Sequence, residues 1–393
     1  MISPFTIDLS LLTTHYHYII SGSGLAGMSL LMRMMQDSFF DDKQILVVDK
    51  APKQQNDRTW CFWEKENGLF ESIVYHQWQQ LDFFSNDYSA TLAIDPYRYK
   101  MIRGIDFYQY VLQKAANKSN VHFHYEEVLG VGNENNKAVL TLASGKITAD
   151  YIFNSILFRE PKITAGQYML LQHFKGWVIE TPTPVFDSSK ATFMDFRVSQ
   201  KEGTTFMYVM PVAANKALVE YTLFTEKLLT QEQYTDALVQ YLSAHLGIDA
   251  FTIEHEEFGI IPMTNHIFPS VEGKVIYIGI AGGQAKGSSG YAFQFIQKRT
   301  ASVVDALKNN RIPKADNSIT AKKFRLYDSV LLNVLHHKKL NGDRIFAAIF
   351  QKNPPQRVLR FLDNETNVWD DLHIMNSVPT GIFLKAAFQE IFR

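Results

Sequence analysis

The sequence predicts an α/β protein: a Rossmann-type nucleotide-binding domain, an antiparallel-sheet domain laid over it, and a helical C-terminal region. Three observations predict it. A glycine-rich turn, Gly22-Ser23-Gly24-Leu25-Ala26-Gly27, separates the apolar run Tyr16–Ile20 from Leu25, Met28, Leu31, Met32 and Met35, which recur at helical spacing. The middle of the chain is a succession of short strand-like runs, and from Phe293 onward helical patterns dominate. At 393 residues the chain exceeds what one hydrophobic core usually supports, so roughly two to three packed domains are expected.

The elements follow in order. Ile45-Leu46-Val47-Val48-Asp49-Lys50 reads as a buried strand ending in an acid, which completes a β-α-β unit. Asp106 is expected to cap a helix reaching about Lys118, and Val121–Val131 alternates like one strand. Val139–Leu142 and Ile147–Ile152, joined by a turn at Ser144-Gly145, read as a hairpin returning to the first domain. Tyr168–Leu171, Trp177–Glu180, Ala191–Arg197, Thr205–Met210 and Ala217–Leu223 read as successive antiparallel strands of a second sheet. Gln231–His245 is a predicted helix and Val275–Gly279 a core strand; the later helices break at Pro354-Pro355 and Pro379. The nucleotide-binding domain is therefore expected at 1–160 and 255–310, the second sheet at 161–254 and the helical region at 311–393.

Composition narrows the function. A formal net charge of -1 gives no electrostatic case for nucleic acid as a partner. With 29 Phe and 18 Tyr, aromatics suffice to line a large apolar cavity as well as fill a core. The single cysteine, Cys61, excludes an internal disulfide and suits a reducing compartment. No basic segment followed by a long apolar run marks a signal peptide, and no apolar stretch nears the ~20 residues of a membrane span. The pairs His15/His17, His122/His124 and His336-His337 lack a metal-ligand pattern, so no metal is expected.

Each glycine of the fingerprint has a physical reason. Gly22 permits the tight turn, Gly24 lets a pyrophosphate approach the backbone beside Leu25 and Ala26, and Gly27 allows close helix–strand packing. Unpaired N–H groups and the positive end of the helix dipole would receive the phosphates. Asp49, followed by Lys50, lies about 22 residues beyond the last glycine, where an acid accepts from ribose hydroxyls. FAD is the expected cofactor. The fingerprint opens a chain that later returns to the same domain, and a late segment, Gly279-Ile280-Ala281-Gly282-Gly283-Gln284-Ala285-Lys286-Gly287-Ser288-Ser289-Gly290, follows a strand and precedes a helix. Its backbone, with Tyr291, could cover a flavin, although many flavoproteins carry Asp where this chain has Ile280. Arg58 is a further candidate for a flavin phosphate or ribose, with a surface salt bridge as the alternative.

The residues then resemble a known family. Asn56-Asp57-Arg58-Thr59-Trp60-Cys61-Phe62-Trp63, Met194-Asp195-Phe196-Arg197, Leu218-Val219-Glu220-Tyr221-Thr222, Gly259-Ile260-Ile261-Pro262-Met263 and Gly287-Ser288-Ser289-Gly290-Tyr291 follow the motif order of the lycopene cyclases of carotenoid biosynthesis, specifically the bacterial β-cyclases. The similarity runs from about Tyr16 to about Thr366. It implies a glutathione-reductase-like flavoprotein fold with a substrate domain. The implied reaction is the redox-neutral closure of lycopene ψ-ends into β-ionone rings, giving β-carotene via γ-carotene. It also implies reduced FAD, with NAD(P)H as electron source, and a peripheral position on the cytoplasmic side of a membrane, where the carotenoid substrate resides.

Protonating an alkene at neutral pH requires an acid kept protonated in a dry place. Glu220 suits that role, flanked by Leu218, Val219, Leu223 and Phe224 on a predicted strand; the resemblance maps the family's catalytic Glu onto it. Its alternative role is a strand-end charge paired with Lys or Arg. Where the family often has a second acid, this chain has Tyr221, which alternation sends to the opposite face. Trp60, Phe62 and Trp63 are candidates to line the substrate site and offer cation–π faces, with core packing as the alternative. Asp195 and Arg197 are expected to form an ion pair. For membrane contact the candidates are Phe346–Phe350, Ile382–Leu384, Ala386–Phe388 and Ile391-Phe392, set among Lys and Arg. Rival readings are an FAD-dependent monooxygenase or lipid-reducing flavoenzyme, and a carotenoid-binding protein without catalysis.

Overall fold

The computed structural model describes residues 15–392; the first fourteen residues of the expected nucleotide-binding domain lie outside them. An eight-stranded sheet is built on the strand His15–Ser21, which runs parallel between Ile45–Asp49 and Gly145–Asn154. Val121–Tyr125 extends it beyond Ile45–Asp49, and Val275–Tyr277 pairs parallel with Gly145–Asn154 on the other side. The run Ile45–Val48 is buried throughout, as a parallel strand covered on both faces requires. Helix Leu25–Met35 buries its leucines and methionines against helix Phe293–Lys308. Gln297 Nε2 donates to Ser29 Oγ at 2.9 Å across that contact, so late chain and first helix form one core.

Two expectations here are corrected. The single strand expected over Val121–Val131 is two, Val121–Tyr125 and Val128–Glu134. Glu126 turns the chain between them, its carboxylate held by Ser144 N at 2.8 Å, Ser144 Oγ at 2.6 Å and His124 Nε2 at 3.1 Å. Asp106 does not cap its helix. Gly104–Ala115 is capped at Arg103, and Asp106 in the first turn pairs with the Arg103 guanidinium at 2.6 Å.

The second sheet has seven strands in the order Thr252–Thr264, Met169–Glu180, Lys216–Thr225, Thr204–Ala213, Lys190–Asp195, Gln80–Phe84 and Ser89–Ala93. The two runs read at Tyr168–Leu171 and Trp177–Glu180 are one strand. Its polar centre is satisfied by neighbours: His173 Nε2 meets Thr225 Oγ1 at 2.7 Å, and Lys175 pairs with Glu256 at 3.1 Å. The sheet also draws on more of the chain than 161–254. Residues 80–93 join it because Leu81, Phe83 and Leu92 face the same cluster as Phe193, and Gln80–Phe84 pairs parallel with Lys190–Asp195. Strand Thr252–Thr264 likewise belongs to this sheet throughout.

A three-stranded sheet, Thr59–Glu64, Arg98–Arg103 and His76–Trp78, stands between the two larger ones. Strand alternation sends Trp60 and Phe62 into the nucleotide-domain core and Cys61 and Trp63 toward the other. Helix Gln231–Leu246, with a Thr230/Gln233 capping box, covers the outer face of the second sheet. The C-terminal helices are Ile319–His336, Gly342–Lys352, Pro355–Leu362, Val368–Ser377 and Thr380–Ile391, with breaks at both predicted proline sites. Among the described residues no helix is long and apolar enough to cross a membrane.

Candidate functional site

A cleft of about 430 Å³ opens between the glycine turn and the second sheet. Gly24, Leu25, Ala26, Gly279 and Ile280 line one end; Gln172, Phe174, Glu220 and Glu257 line the other; Trp60, Tyr99 and Tyr208 stand between.

The turn is shaped by its glycines. Gly22 adopts φ +96°, and a Cβ there would sit 2.3 Å from Ser155 Oγ. A Cβ on Gly27 would meet Gly22 O at 2.0 Å, so the helix can dock only because that methyl is missing. At Gly24 nothing lies within 4 Å of the Cβ position, which leaves an open backbone cradle at the helix N-terminus, the setting that receives a dinucleotide phosphate. Asp49 does not line the cleft. Its carboxylate accepts from Ser23 N, Ser23 Oγ and Lys50 N, each at 2.7 Å, and so braces the turn from behind. The Lys50 side chain is exposed away from the cleft; Lys53, missed by sequence reading, lines it. Arg58 also lines it, its Nη1 donating to the carbonyls of Asp57 at 2.7 Å and Phe258 at 3.1 Å.

The late glycine segment divides. Gly279, Ile280, Gly290 and Tyr291 line the cleft. Gly282, Gly283, Gly287 and Ser288 do not line it. A Cβ on Gly282 would sit 2.5 Å from Tyr277 O, Gly283 adopts φ +75° against Phe268, and a Cβ on Gly287 would sit 2.6 Å from Thr264 O. Ser288 Oγ donates to Asp328 at 2.6 Å, beside the buried Lys286–Asp328 pair at 2.8 Å, so this stretch anchors helix Ile319–His336.

The aromatic candidates separate as well. Trp60 lines the cleft. Phe62 lies flat on Phe293 at 3.8 Å, and Trp63 sits edge-on to Tyr291 at 4.9 Å, one layer behind the wall. Phe174, Tyr99 and Tyr208 supply rings that sequence reading did not single out, beside the expected Tyr291. Asp195 is fully buried; Arg197 pairs with it at 2.6 Å and Tyr241 donates to it at 2.8 Å, a structural cluster beyond the cleft lining.

The acid end is one row of side chains. Register places Glu257, Gly176, Glu220 and Tyr208 directly opposite one another on four adjacent strands. Directly paired residues share a face, here the face toward the cleft. Tyr221 points the other way, into the core under helix Gln231–Leu246. The acid strands are two ladder steps apart, roughly 9.5 Å between backbones. The missing side chain at Gly176 lets both acids lean over the middle strand: a Cβ there would be 3.2 Å from Glu257 Cγ and 3.5 Å from Glu220 Cγ.

Burial raises the Glu220 carboxyl well above the usual carboxylate range, with the neighbouring Glu257 adding to the rise; Thr222 Oγ1, donating at 2.7 Å, opposes it. Burial also raises Glu257, against the pull of Thr59 and Arg58. Among the described residues Glu257 Oε2 has no hydrogen-bond partner, nor does Gln172 Oε1 farther along the cleft. Among the described residues Glu220 forms no salt bridge with lysine or arginine, unlike the strand-end charge of the alternative reading. Glu257 escaped sequence reading because its relation to Glu220 exists only in the register of three strands.

A family model described as "Lycopene cyclase protein" matches residues 18–387. Among curated proteins, the chain is 25% identical over 264 residues to the lycopene beta-cyclase of Pantoea ananas, covering 64% of this chain and 63% of that one. It is 24% identical over 314 residues to the neoxanthin synthase of Solanum tuberosum, covering 73% and 60%. In both cases the match spans less than two thirds of the relative's length. Among solved structures, a geranylgeranyl bacteriochlorophyll reductase-like protein from Thermoplasma acidophilum superposes with TM-score 0.66 at 11% identity, covering 94% of this chain and 98% of that one. A probable FAD-dependent monooxygenase from Pseudomonas aeruginosa does so with TM-score 0.57 at 12% identity, covering 83% and 98%. The fold is that of these flavoproteins, mixed α/β with several sheets and a helical C-terminus. By the extent of the family match, the chain belongs to the lycopene cyclase family.

Proposed function

We propose that this chain is a lycopene β-cyclase, closing the ψ-ends of lycopene into β-ionone rings and giving β-carotene by way of γ-carotene. The observation that carries this reading is Glu220, an acid held protonated by burial at the head of a cleft walled by aromatic rings. In a dry site the neutral carboxyl persists at pH values where an exposed one is ionised. Glu220 donates its proton to the terminal double bond. The resulting tertiary cation is attacked by the neighbouring internal alkene, and loss of an allylic proton completes the ring. Rings such as Tyr99, Tyr208 and Trp60 steady the cation by on the order of 2 kcal/mol each when desolvated. The walls exclude water that would otherwise trap it.

The residues at the other end fit FAD. Gly24, Leu25 and Ala26 would take the phosphates, with Asp49 holding the turn through Ser23, while Gly279, Gly290 and Tyr291 border the rest of the cleft. Bound there in its reduced form, with NAD(P)H as electron source, the flavin supplies negative charge that favours the cation without net electron transfer.

Expression in cells that accumulate lycopene tests the reading: cyclic β-ring pigment supports it, and unchanged lycopene from a flavin-loaded protein sinks it. An oxygenated product with NAD(P)H consumed one for one would favour the monooxygenase. Glu220→Gln is expected to lower ring closure by about 10²–10⁴-fold with flavin content unchanged, the range lost with a general acid.

Lycopene is confined to the bilayer, so the protein is proposed to act at a membrane surface. Phe346–Phe350 does not serve, since Phe346 and Phe350 pack against Phe196 and Phe83 in the core. The last two helices are better suited, with Trp369 76% exposed, Phe388 62% and Phe392 73%. Replacing Trp369 and Phe388 by Ser should reduce co-sedimentation with liposomes; unchanged sedimentation would exclude this face.

A further inference from the structure

The proton added to the alkene and the proton later lost balance, yet a donor that gives up its proton must regain one before the next turnover. The two carbons concerned, one protonated and one deprotonated, are both bonded to the same quaternary carbon of the new ring. An acid and a base side by side therefore suit the reaction. Resting on the cyclase reading above, we propose that Glu257 takes the proton released by the closing ring and returns it to Glu220, so that one proton circulates between two carboxyls across Gly176.

The geometry supports each part. Both carboxylates line the cleft from one face of one sheet, and both Cγ atoms border the space a Gly176 methyl would fill. Glu257 Oε2 is buried without a partner, an arrangement that is costly for a carboxylate unless a proton or a donor reaches it in the working cycle. Burial holds both acids up, as two nearby carboxyls sharing one proton require. What separates them is their surroundings. Arg58 favours the charged form of Glu257, opposed in part by Asp57, while Glu220 faces the neutral Cys61, Tyr99, Tyr208 and Tyr291. Glu257 is thus the member that ionises first and serves as base, leaving Glu220 as acid.

The steps balance. The Glu220 O–H bond breaks and a C–H bond forms on the alkene, leaving a carboxylate and a cation. After ring closure a ring C–H bond breaks, its electron pair becomes the ring double bond, and the proton passes to the Glu257 carboxylate. Transfer from Glu257 to Glu220 restores the starting pair, and nothing is oxidised or reduced.

The test uses the FAD-loaded protein with lycopene deuterated at the carbon that gives up its proton. Wild type is expected to return part of the deuterium to the protonated ring carbon of products, and Glu257→Gln to lose that return while kcat falls at least about 10²-fold. KM within about threefold, unchanged flavin content and partial rescue by Glu257→Asp are expected alongside. Should Glu257→Gln fail to fold, Gly176→Ala, which leaves both acids in place, is expected to reduce deuterium return. Wild-type product without returned deuterium, or Glu257→Gln with kcat within threefold of wild type, overturns the circulation. Failure of the wild type to cyclise lycopene at all would instead overturn the reading on which it rests.

Discussion

The two ends of the cleft are built on opposite plans. The turn at Gly22–Gly27 lies within six consecutive residues and is fixed by backbone shape; the acid row gathers residues 176, 208, 220 and 257 from four strands and is fixed by register. The turn fails when atoms are added, since a methyl on Gly22 or Gly27 has nowhere to go. The row fails when its charge balance is altered, since its side chains hold an arrangement that burial alone would oppose. One end is a steric device and the other an electrostatic one.

That contrast can be broken from either side. Loss of ring closure in Glu220→Gln with flavin retained is the largest effect expected. Gly27→Ala is next: its Cβ would stand 2.0 Å from Gly22 O and 2.9 Å from an Ile20 methyl. It should cost roughly 1–3 kcal/mol of stability and most of the bound flavin, measured by thermal unfolding and flavin absorbance. A Gly27→Ala protein with full flavin would show that the turn is not a steric device.

A smaller effect sharpens the electrostatic side. Burial raises the pKa of Glu257, so the folded chain holds that proton more tightly than the unfolded one. Its contribution is complete below the unfolded carboxylate pKa and is lost as pH rises through the raised value. Glu257→Gln should therefore match wild type in Tm near pH 4 and exceed it near pH 8, by on the order of 2 °C. A variant less stable at pH 8 would mean that the carboxylate is held by partners and not strained. The smallest effect belongs to Tyr221→Phe, which faces away from the cleft and should leave activity within about twofold. A large loss there would move the acid chemistry to the other face of the sheet.

What the sequence could reveal follows the same division. The turn, its strand, its helix and Asp49 were legible because their spacing is local, though the sequence suggested ribose for an acid that braces Ser23. Glu220 was legible from its motif and apolar neighbours, and the outward turn of Tyr221 from alternation. Glu257 was not, because nothing in a linear reading shows that residue 257 lies opposite residue 176. In the segment Gly282–Ser288 glycine spacing suggested a cofactor loop, and nothing in a linear reading shows the buried Lys286–Asp328 pair that ties it to the C-terminal helices. Strand Gln80–Phe84 joined the second sheet by a parallel pairing that no local pattern encodes.

Cys61 gives the cleft a reporter of its own. It is the only cysteine of the chain, it lines the cleft, and its Sγ lies 3.1 Å from Met210 Sδ. Burial, with Glu220 and Glu257 adding to it, pushes its thiol well above the ordinary range, so little of the reactive thiolate forms at neutral pH. A thiol reagent would thus label one position only, slowly in the wild type and faster when Glu257, the member of the pair that ionises, is made neutral. The labelling rate becomes a charge meter for the acid row, readable without substrate and without turnover.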